Sequence, residues 1–463
     1  MGLDGAYSAV ISGAGPAGVS LALFLARRGH RIALLDPGSV SQGEAEPRGR
    51  ALPHRLQGHS FLALGTGILD RELPDVVAAL LQGGGTRAPL PHEPQHWNLL
   101  SSRRLLDEIL VGTARAQQGI DFIEDAAARD LLFEGRRAGA APHVIGLRTD
   151  RGDLRARYVV DATGRRSPFR GWLRSRGVEL AGENHASRHI YLTRHYRLRP
   201  GRCFPPFRVP VVAALPYATV LAFPEDNGHF QISIQLHGSD PVRRALHEAD
   251  RFDGFLSEVP VVAPWLEAGE PVSEPLPCAS VGNRRVSLWR AAPLVTGLLL
   301  VGDAAAHTNP TAGRGVSLAL AHARRIALLL DTAIDDKSPS EVCREWEELT
   351  ADVIGPWLTS QIRIDQEREQ EVLASIEGRA HAVSSDSSRR VAVAMAALHD
   401  CPVVGPAADR LLNMLALPDE VFSDQDVMRR VFRQLRNSDI GTRRMGPNRD
   451  EFEAMMREYR HAV

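Results

Sequence analysis

Apolar and polar positions change period several times along this chain, and each change marks an element. An apolar run through Val10 and Ile11 ends at Gly13 and Gly15, after which apolar residues recur through Leu21, Ala22 and Leu25 as far as Gly29. This pattern predicts a buried strand, a tight turn and a helix, with a second apolar strand over 31–35 ending in Asp36. Far downstream, 298–301 is again a short buried strand, followed by small residues from Gly302 to Gly315 and a helical pattern through Leu318, Leu320, Ala321, Arg325 and Leu328. Residues 230–237 alternate strictly between apolar and polar, the mark of an antiparallel strand. Beyond residue 340 the spacing turns helical, with Arg/Glu-rich faces and breaks near Pro402 and Pro418.

The first element has the chemistry of a dinucleotide site. Gly13 permits the tight exit from the strand, Gly15 leaves no side chain in the path of a phosphate, and Gly18 lets the helix pack close on the sheet. Together with Ala17 they place backbone N–H groups at the positive end of a helix, where a pyrophosphate binds. Asp36 lies 21 residues beyond Gly15, the separation at which an acid reaches ribose hydroxyls. A strand-to-helix turn without a ligand is the alternative. The second element narrows the choice of nucleotide. Asp303, after Gly302, is suited to accept hydrogen bonds from a ribityl chain, and a helix starting near Gly315 aims positive charge at a flavin N1/C2=O edge. Together the two elements point to FAD.

The motifs Pro53-His54-Arg55-Leu56-Gln57-Gly58-His59, Ser102-Arg103-Arg104-Leu105-Leu106-Asp107 and Val159-Val160-Asp161-Ala162-Thr163-Gly164-Arg165-Arg166-Ser167 fall between these elements in order. With them the chain resembles the FAD-dependent monooxygenase superfamily typified by para-hydroxybenzoate hydroxylase. Within it, the chain is similar to flavin epoxidases of polyether-antibiotic biosynthesis. The resemblance spans residues 8 to about 330 and weakens after 340. It implies an α/β fold (α+β, two domains), with a Rossmann-like FAD domain, an antiparallel-sheet substrate domain and C-terminal helices. The expected boundaries are 1–75, 100–175 and 285–335 for the discontinuous FAD domain, 76–99 and 176–284 for the substrate domain, and 336–463 for the helical region.

The resemblance also implies a reaction: insertion of one oxygen atom from O₂ by way of a flavin C4a-hydroperoxide, as an epoxidation or hydroxylation of an apolar polyketide, terpene or aromatic substrate. The cofactor carries that step, so no catalytic triad or carboxylate pair is required. Thr163 and Gly164, with Pro310, Gly313 and Gly315, are expected against FAD, as are Arg48 and Arg103, although Arg48 also reads as a solvated loop charge. His307, Asn309 and Arg314 are the polar candidates nearest the flavin, for catalysis or for holding the loop. Gln57 and His59 are placed at the border of the ring, a surface histidine being the other reading of His59. Thr163 stands where many aromatic hydroxylases carry an Asp tied to NAD(P)H as well as FAD. Electrons are therefore expected from NAD(P)H directly or through a separate flavin reductase. The rival reading is an FAD-dependent reductase of the prenyl-reductase type, without oxygen transfer.

Composition narrows these readings. The 55 basic residues against 56 acidic ones leave a net charge of −1 and no electrostatic case for nucleic acid. Lys337 is the one lysine, in a polar stretch remote from the motifs, which disfavours the flavin halogenases with their active-site lysine. The four cysteines have no metal-ligand spacing, and no metal is expected. No apolar run is long enough to span a bilayer and no leader precedes the first strand, so a cytoplasmic enzyme with a small apolar substrate is expected. Tyr191, Tyr196, Phe204, Phe207, Tyr217, Phe223 and Phe230 are the aromatics available to a substrate cavity or to the core.

Overall fold

The computed structural model describes residues 7–38, 56–135, 140–279, 282–333, 336–380, 387–437 and 445–458. Strand β1 (Tyr7–Ser12), helix α1 (Pro16–Ala26) and β2 (Ile32–Leu35) form a parallel β-α-β unit, with Ala9 opposite Ile32 and Ser12 opposite Leu35. These strands are buried on both faces, which is why they read as unbroken apolar runs. The long strand β3 (Gly152–Asp161) lies on the other side of β1. Its first half pairs antiparallel with Val144–Thr149, and its second half pairs parallel with Leu298–Leu300. The two distant glycine-rich segments therefore leave one sheet at the same edge. Helix α2 (Arg103–Ala116) packs against α1, with Ser102 capping its first turn by accepting from the Leu105 N–H.

A second sheet is antiparallel: β4 (His189–Leu198), β5 (Val211–Ala214), β6 (Thr219–Pro224) and β7 (His229–His237) are ordered β5-β6-β7-β4, with Gly269–Pro271 and Leu276–Ala279 also on β4. The alternation over 230–237 separates two buried faces. Phe230, Ile232, Ile234 and Leu236 enter an apolar core with Trp265 and Phe252. Gln231, Ser233, Gln235 and His237 are buried too, on a face covered by the rest of the protein, where each finds a hydrogen-bond partner. That polar face is turned toward the candidate site.

Two long helices join the sheets. Helix α3 (Gly315–Ala333) packs along α1, and α4 (Pro339–Ile376) packs along α3 and reaches the second sheet. A capping box of Ser338 and Glu341 starts α4. Trp346 is fully buried and donates its indole N–H to the Leu300 carbonyl at 3.0 Å, fastening α4 to the first sheet. Residues 387–437 form a separate small helical core around Val391, Val404, Val427 and Val431. Segment 76–99, expected with the substrate sheet, goes elsewhere: Val76, Val77, Leu80, Trp97 and Leu99 join the core of the first sheet. Its two short strands gave no period that distinguishes one core from the other. Among the described residues no helix is long and apolar enough to cross a membrane.

Trp346→Ala should lower the unfolding free energy by roughly 3–5 kcal/mol, the cost of a large buried cavity, as read by chemical denaturation.

Candidate active site

The turn between β1 and α1 is packed without room to spare. Gly13 has φ +114°, and a Cβ there would stand 2.5 Å from the Ala162 carbonyl oxygen; one on Gly18 would stand 2.0 Å from the Gly13 oxygen. Gly15 differs. It caps α1 with ordinary extended angles, and an added Cβ would meet no atom of the described residues. Packing among the described residues therefore explains Gly13 and Gly18 but not Gly15, which stands before the helix N–H groups with no side chain of its own to cap them. Ala17 sits in the first turn, and buried Asp36 closes β2 with its carboxylate on the Gly38 N–H at 3.2 Å. An uncapped helix end, an unfilled glycine and a buried acid at the neighbouring strand end fit a dinucleotide pyrophosphate and ribose. FAD, if held here, would lie across Gly13, Gly15, Ala17, Gly18 and Asp36.

Thr163 and Gly164 follow β3 at the same edge, and at Gly164, φ +80°, an added Cβ would likewise meet no atom of the described residues. Asp161, fully buried, accepts from the Thr163 N–H at 2.9 Å and from the Thr163 and Ser167 hydroxyls. Burial pushes its carboxyl pKa up against these bonds. Next to this turn Arg165 donates to Asp303 at 2.8 Å. Gly302 has a structural reason of its own, since a Cβ there would meet Ala17 Cβ at 2.7 Å. Arg103 lies in the first turn of α2, bonded to Asp107 at 2.8 Å and to His59 Nε2 at 3.3 Å. A guanidinium only donates, so His59 is a neutral tautomer that donates from Nδ1 to the Gln57 carbonyl. Gln57 itself accepts from Thr193 on β4. Arg48 lies outside the described residues.

Beyond Asp303 the chain forms a knot of buried polar groups. His307 is half-buried, with Nδ1 3.4 Å from the Asp303 carbonyl, and burial lowers its pKa so that it is neutral at pH 7. Asn309, 1% exposed, was expected near the flavin, for catalysis or for holding the loop. Its oxygen accepts from Tyr191 and Thr311, and its NH₂ donates to Asp365 at 3.1 Å. Asp365, on α4, also accepts from Asn283 at 2.7 Å and Gln361 at 2.9 Å. These bonds tie Asn309 to α4 and to the second sheet. Pro310 begins a short 3₁₀ turn that ends at Gly313, φ +65°, where a Cβ would strike Ser60 at 2.6 Å. Arg314 follows, and Gly315 opens α3 with no described residue within reach of an added Cβ.

Beside this loop lies a cavity of about 200 Å³. Its walls are Phe61, Leu99, Val211, Leu221, Ala222 and Phe223 on one side, and Thr311, Ala312, Arg314, Gln361 and Ile364 on the other. Of the seven aromatics singled out in the sequence, Phe223 lines it. Tyr196, Phe204, Phe207 and Phe230 instead cluster around Trp265 on the opposite face, and Tyr217 stacks on Phe452. Next to Pro224, the Glu225 carboxyl is pushed up to about 8 by burial and by Asp226 beside it. Asn283, Gln361 and Asp365 carried no motif. Gln361 and Asp365 show only as polar residues four apart on one helix, and their meeting with Asn309 depends on the packing of α4.

Comparison with known proteins agrees with this geometry. Residues 6–193 match the family described as FAD binding domain. The chain is 28% identical over 378 residues to a menaquinone reductase of Mycobacterium tuberculosis, across 77% of this chain and 82% of that protein. Among solved structures it is similar to the flavin-dependent brominase Bmp2, with a TM-score of 0.60, 16% identity, and coverage of 92% of this chain and 98% of that one. It is also similar to the anhydrotetracycline hydroxylase OxyS of Streptomyces rimosus, with a TM-score of 0.56, 18% identity, and coverage of 89% and 76% respectively. Residues 6–193 thus match an FAD-binding-domain family, and the chain shares the fold of these flavin-dependent enzymes of known structure.

Gly15→Val should leave the FAD-free protein within about 0.5 kcal/mol of its stability yet weaken FAD binding in fluorescence titrations by about tenfold or more. Gly18→Val should destabilise the FAD-free protein itself by about 1–3 kcal/mol or more. For Glu225 the folded pKa is raised, so its stability contribution is complete below the unfolded pKa near 4.5 and is lost as pH rises through about 8. Denaturation curves across that window should show wild type losing stability that Glu225→Gln retains.

Proposed function

We propose that this protein is an FAD-dependent monooxygenase that transfers one oxygen atom from O₂ to an apolar small molecule, by epoxidation of an alkene or hydroxylation of a ring. The observation that carries this reading is the largely apolar cavity set against the loop 309–315, which follows the glycine-rich cradle. When bound, FAD supplies the reduced-flavin and O₂ chemistry; the substrate gains one oxygen atom, and the other leaves as water with two protons and two electrons. Those electrons come from NAD(P)H, directly or through a separate flavin reductase.

The chain's own part is positioning and exclusion. Phe61, Val211, Leu221 and Phe223 keep water from the reacting centre and orient an apolar substrate. The amides of Asn309, Asn283 and Gln361 hold the loop rigid from beneath through Asp365. The start of α3 at Gly315 provides fixed positive charge without a titrating group. Neutral His307 has a ring nitrogen available to relay a proton at the loop. Lys337, the one lysine, is bonded to Glu345 at 2.6 and 2.8 Å near the start of α4, so no lysine serves the cavity.

The likeness to menaquinone reductase favours one second reading: two-electron reduction of a prenylated or quinonoid substrate. Rapid mixing of photoreduced, FAD-loaded protein separates the two. For the monooxygenase, oxidised-flavin absorbance should return after O₂ mixing only in a second, resolved phase, and ¹⁸O₂ should label products from a panel of alkenes and aromatics. A single fast phase with O₂, no label in any product, and rapid anaerobic oxidation by menadione would transfer the assignment to the reductase.

A further inference from the structure

The wall of the cavity contains a buried cation. Arg314 is 7% exposed. Its guanidinium lies over the Trp357 ring, 4.9 Å from the centroid, and Nη1 donates to Gln361 Oε1 at a long 3.4 Å. Both partners belong to α4, and Arg314 and Gln361 both line the cavity.

A guanidinium offers five N–H donors, and these contacts occupy one of them plus a ring face. Among the described residues no carboxylate comes within ion-pair distance of Arg314. Asp365, whose charge acts on it from farther off, is already engaged by Asn283, Asn309 and Gln361. Burial lowers the Arg314 pKa to about 10, which leaves it charged at neutral pH. A buried cation without an anion is costly, and a fold carries that cost where a ligand supplies the missing charge.

We infer that Arg314 determines the specificity of this cavity by binding an anionic oxygen, an enolate, phenolate or carboxylate, of a substrate that is otherwise apolar. The geometry fits that division of labour. Phe61, Val211, Leu221 and Phe223 take the hydrocarbon body, while the guanidinium takes the oxygen through charge-assisted hydrogen bonds. An electron-rich enolate or phenolate is also the kind of carbon framework that accepts an oxygen atom readily. The inference rests on the cavity being the substrate site.

Calorimetric titration of the FAD-loaded protein tests it without turnover. The probes are 2-hydroxy-1,4-naphthoquinone, an enolate at neutral pH, 2-naphthoate, a carboxylate, and the neutral 2-methyl-1,4-naphthoquinone. Wild type should bind at least one anion about tenfold or more tightly than the neutral quinone, and which anion it prefers identifies the oxygen type. Arg314→Met and Arg314→Gln should abolish that preference and leave affinity for the neutral quinone within about twofold. Arg314→Lys should keep part of the preference, as a point charge without the fork. FAD content, thermal midpoint and flavin reduction potential should stay as in wild type. Equal binding of all three probes by wild type, or a preference that survives in the Met and Gln variants, overturns the inference. So does a shifted flavin potential with unaltered probe preference, because it assigns the cation to the cofactor. Val212→Trp, at the exposed mouth of the cavity, should weaken all three probes; unchanged binding there overturns the cavity reading itself and this inference with it.

Discussion

Asp365 is the constraint on which the site depends. One buried carboxylate on α4 gathers the side-chain amides of Asn283, Asn309 and Gln361, which come from a strand, a loop and its own helix. The penalty for burying the charge raises its pKa, and the three donors offset that penalty. Removing any one amide would leave a polar atom unsatisfied in a dry interior, so the cluster favours a single arrangement. The loop 306–315, which borders both the nucleotide cradle and the cavity, is thereby set by α4 rather than by its own sequence. Tyr191 and Gln235 extend the same network into the second sheet.

This arrangement separates two duties that loops usually combine. The backbone of 302–315 faces the cradle, with glycines where protein atoms leave no room for a Cβ or where open space remains. The side chains of Asn309 and Arg314, by contrast, turn to Asp365, Tyr191 and Trp357. A preorganised loop suits chemistry in which the cofactor supplies the reactivity and the protein must hold still and stay dry. The polar face of β7 contributes by being covered: Gln235 reaches Thr311 at 2.9 Å, so the second sheet supports the loop directly.

The parts of this protein legible in the sequence are those governed by local rules. Continuous apolar runs announced β1, β2 and Leu298–Leu300, and the Gly13-to-Gly18 spacing announced the turn, because strand burial and close helix approach leave few residue choices at each position. Alternation announced β7, but its polar half faces protein instead of solvent, a distinction that period alone does not carry. Of the three flavin-side candidates, His307 and Arg314 keep chemical roles in the proposal while Asn309 becomes a strut. Nothing in the string Asn309-Pro310 distinguishes an amide that meets a ligand from one that meets Asp365.

The sequence by itself determined the parallel β-α-β unit, the FAD-type glycine elements and the antiparallel character of the second sheet, since each follows from residue spacing along one segment. The tertiary structure decided the rest. It placed segment 76–99 in the first core, turned most of the aromatics away from the cavity, and brought Gln361 and Asp365 beneath a loop some fifty residues earlier in the chain. The physical reason is that these contacts join elements far apart in sequence. Their partners are selected by which faces the helices and sheets must bury against one another, and no local pattern records that choice.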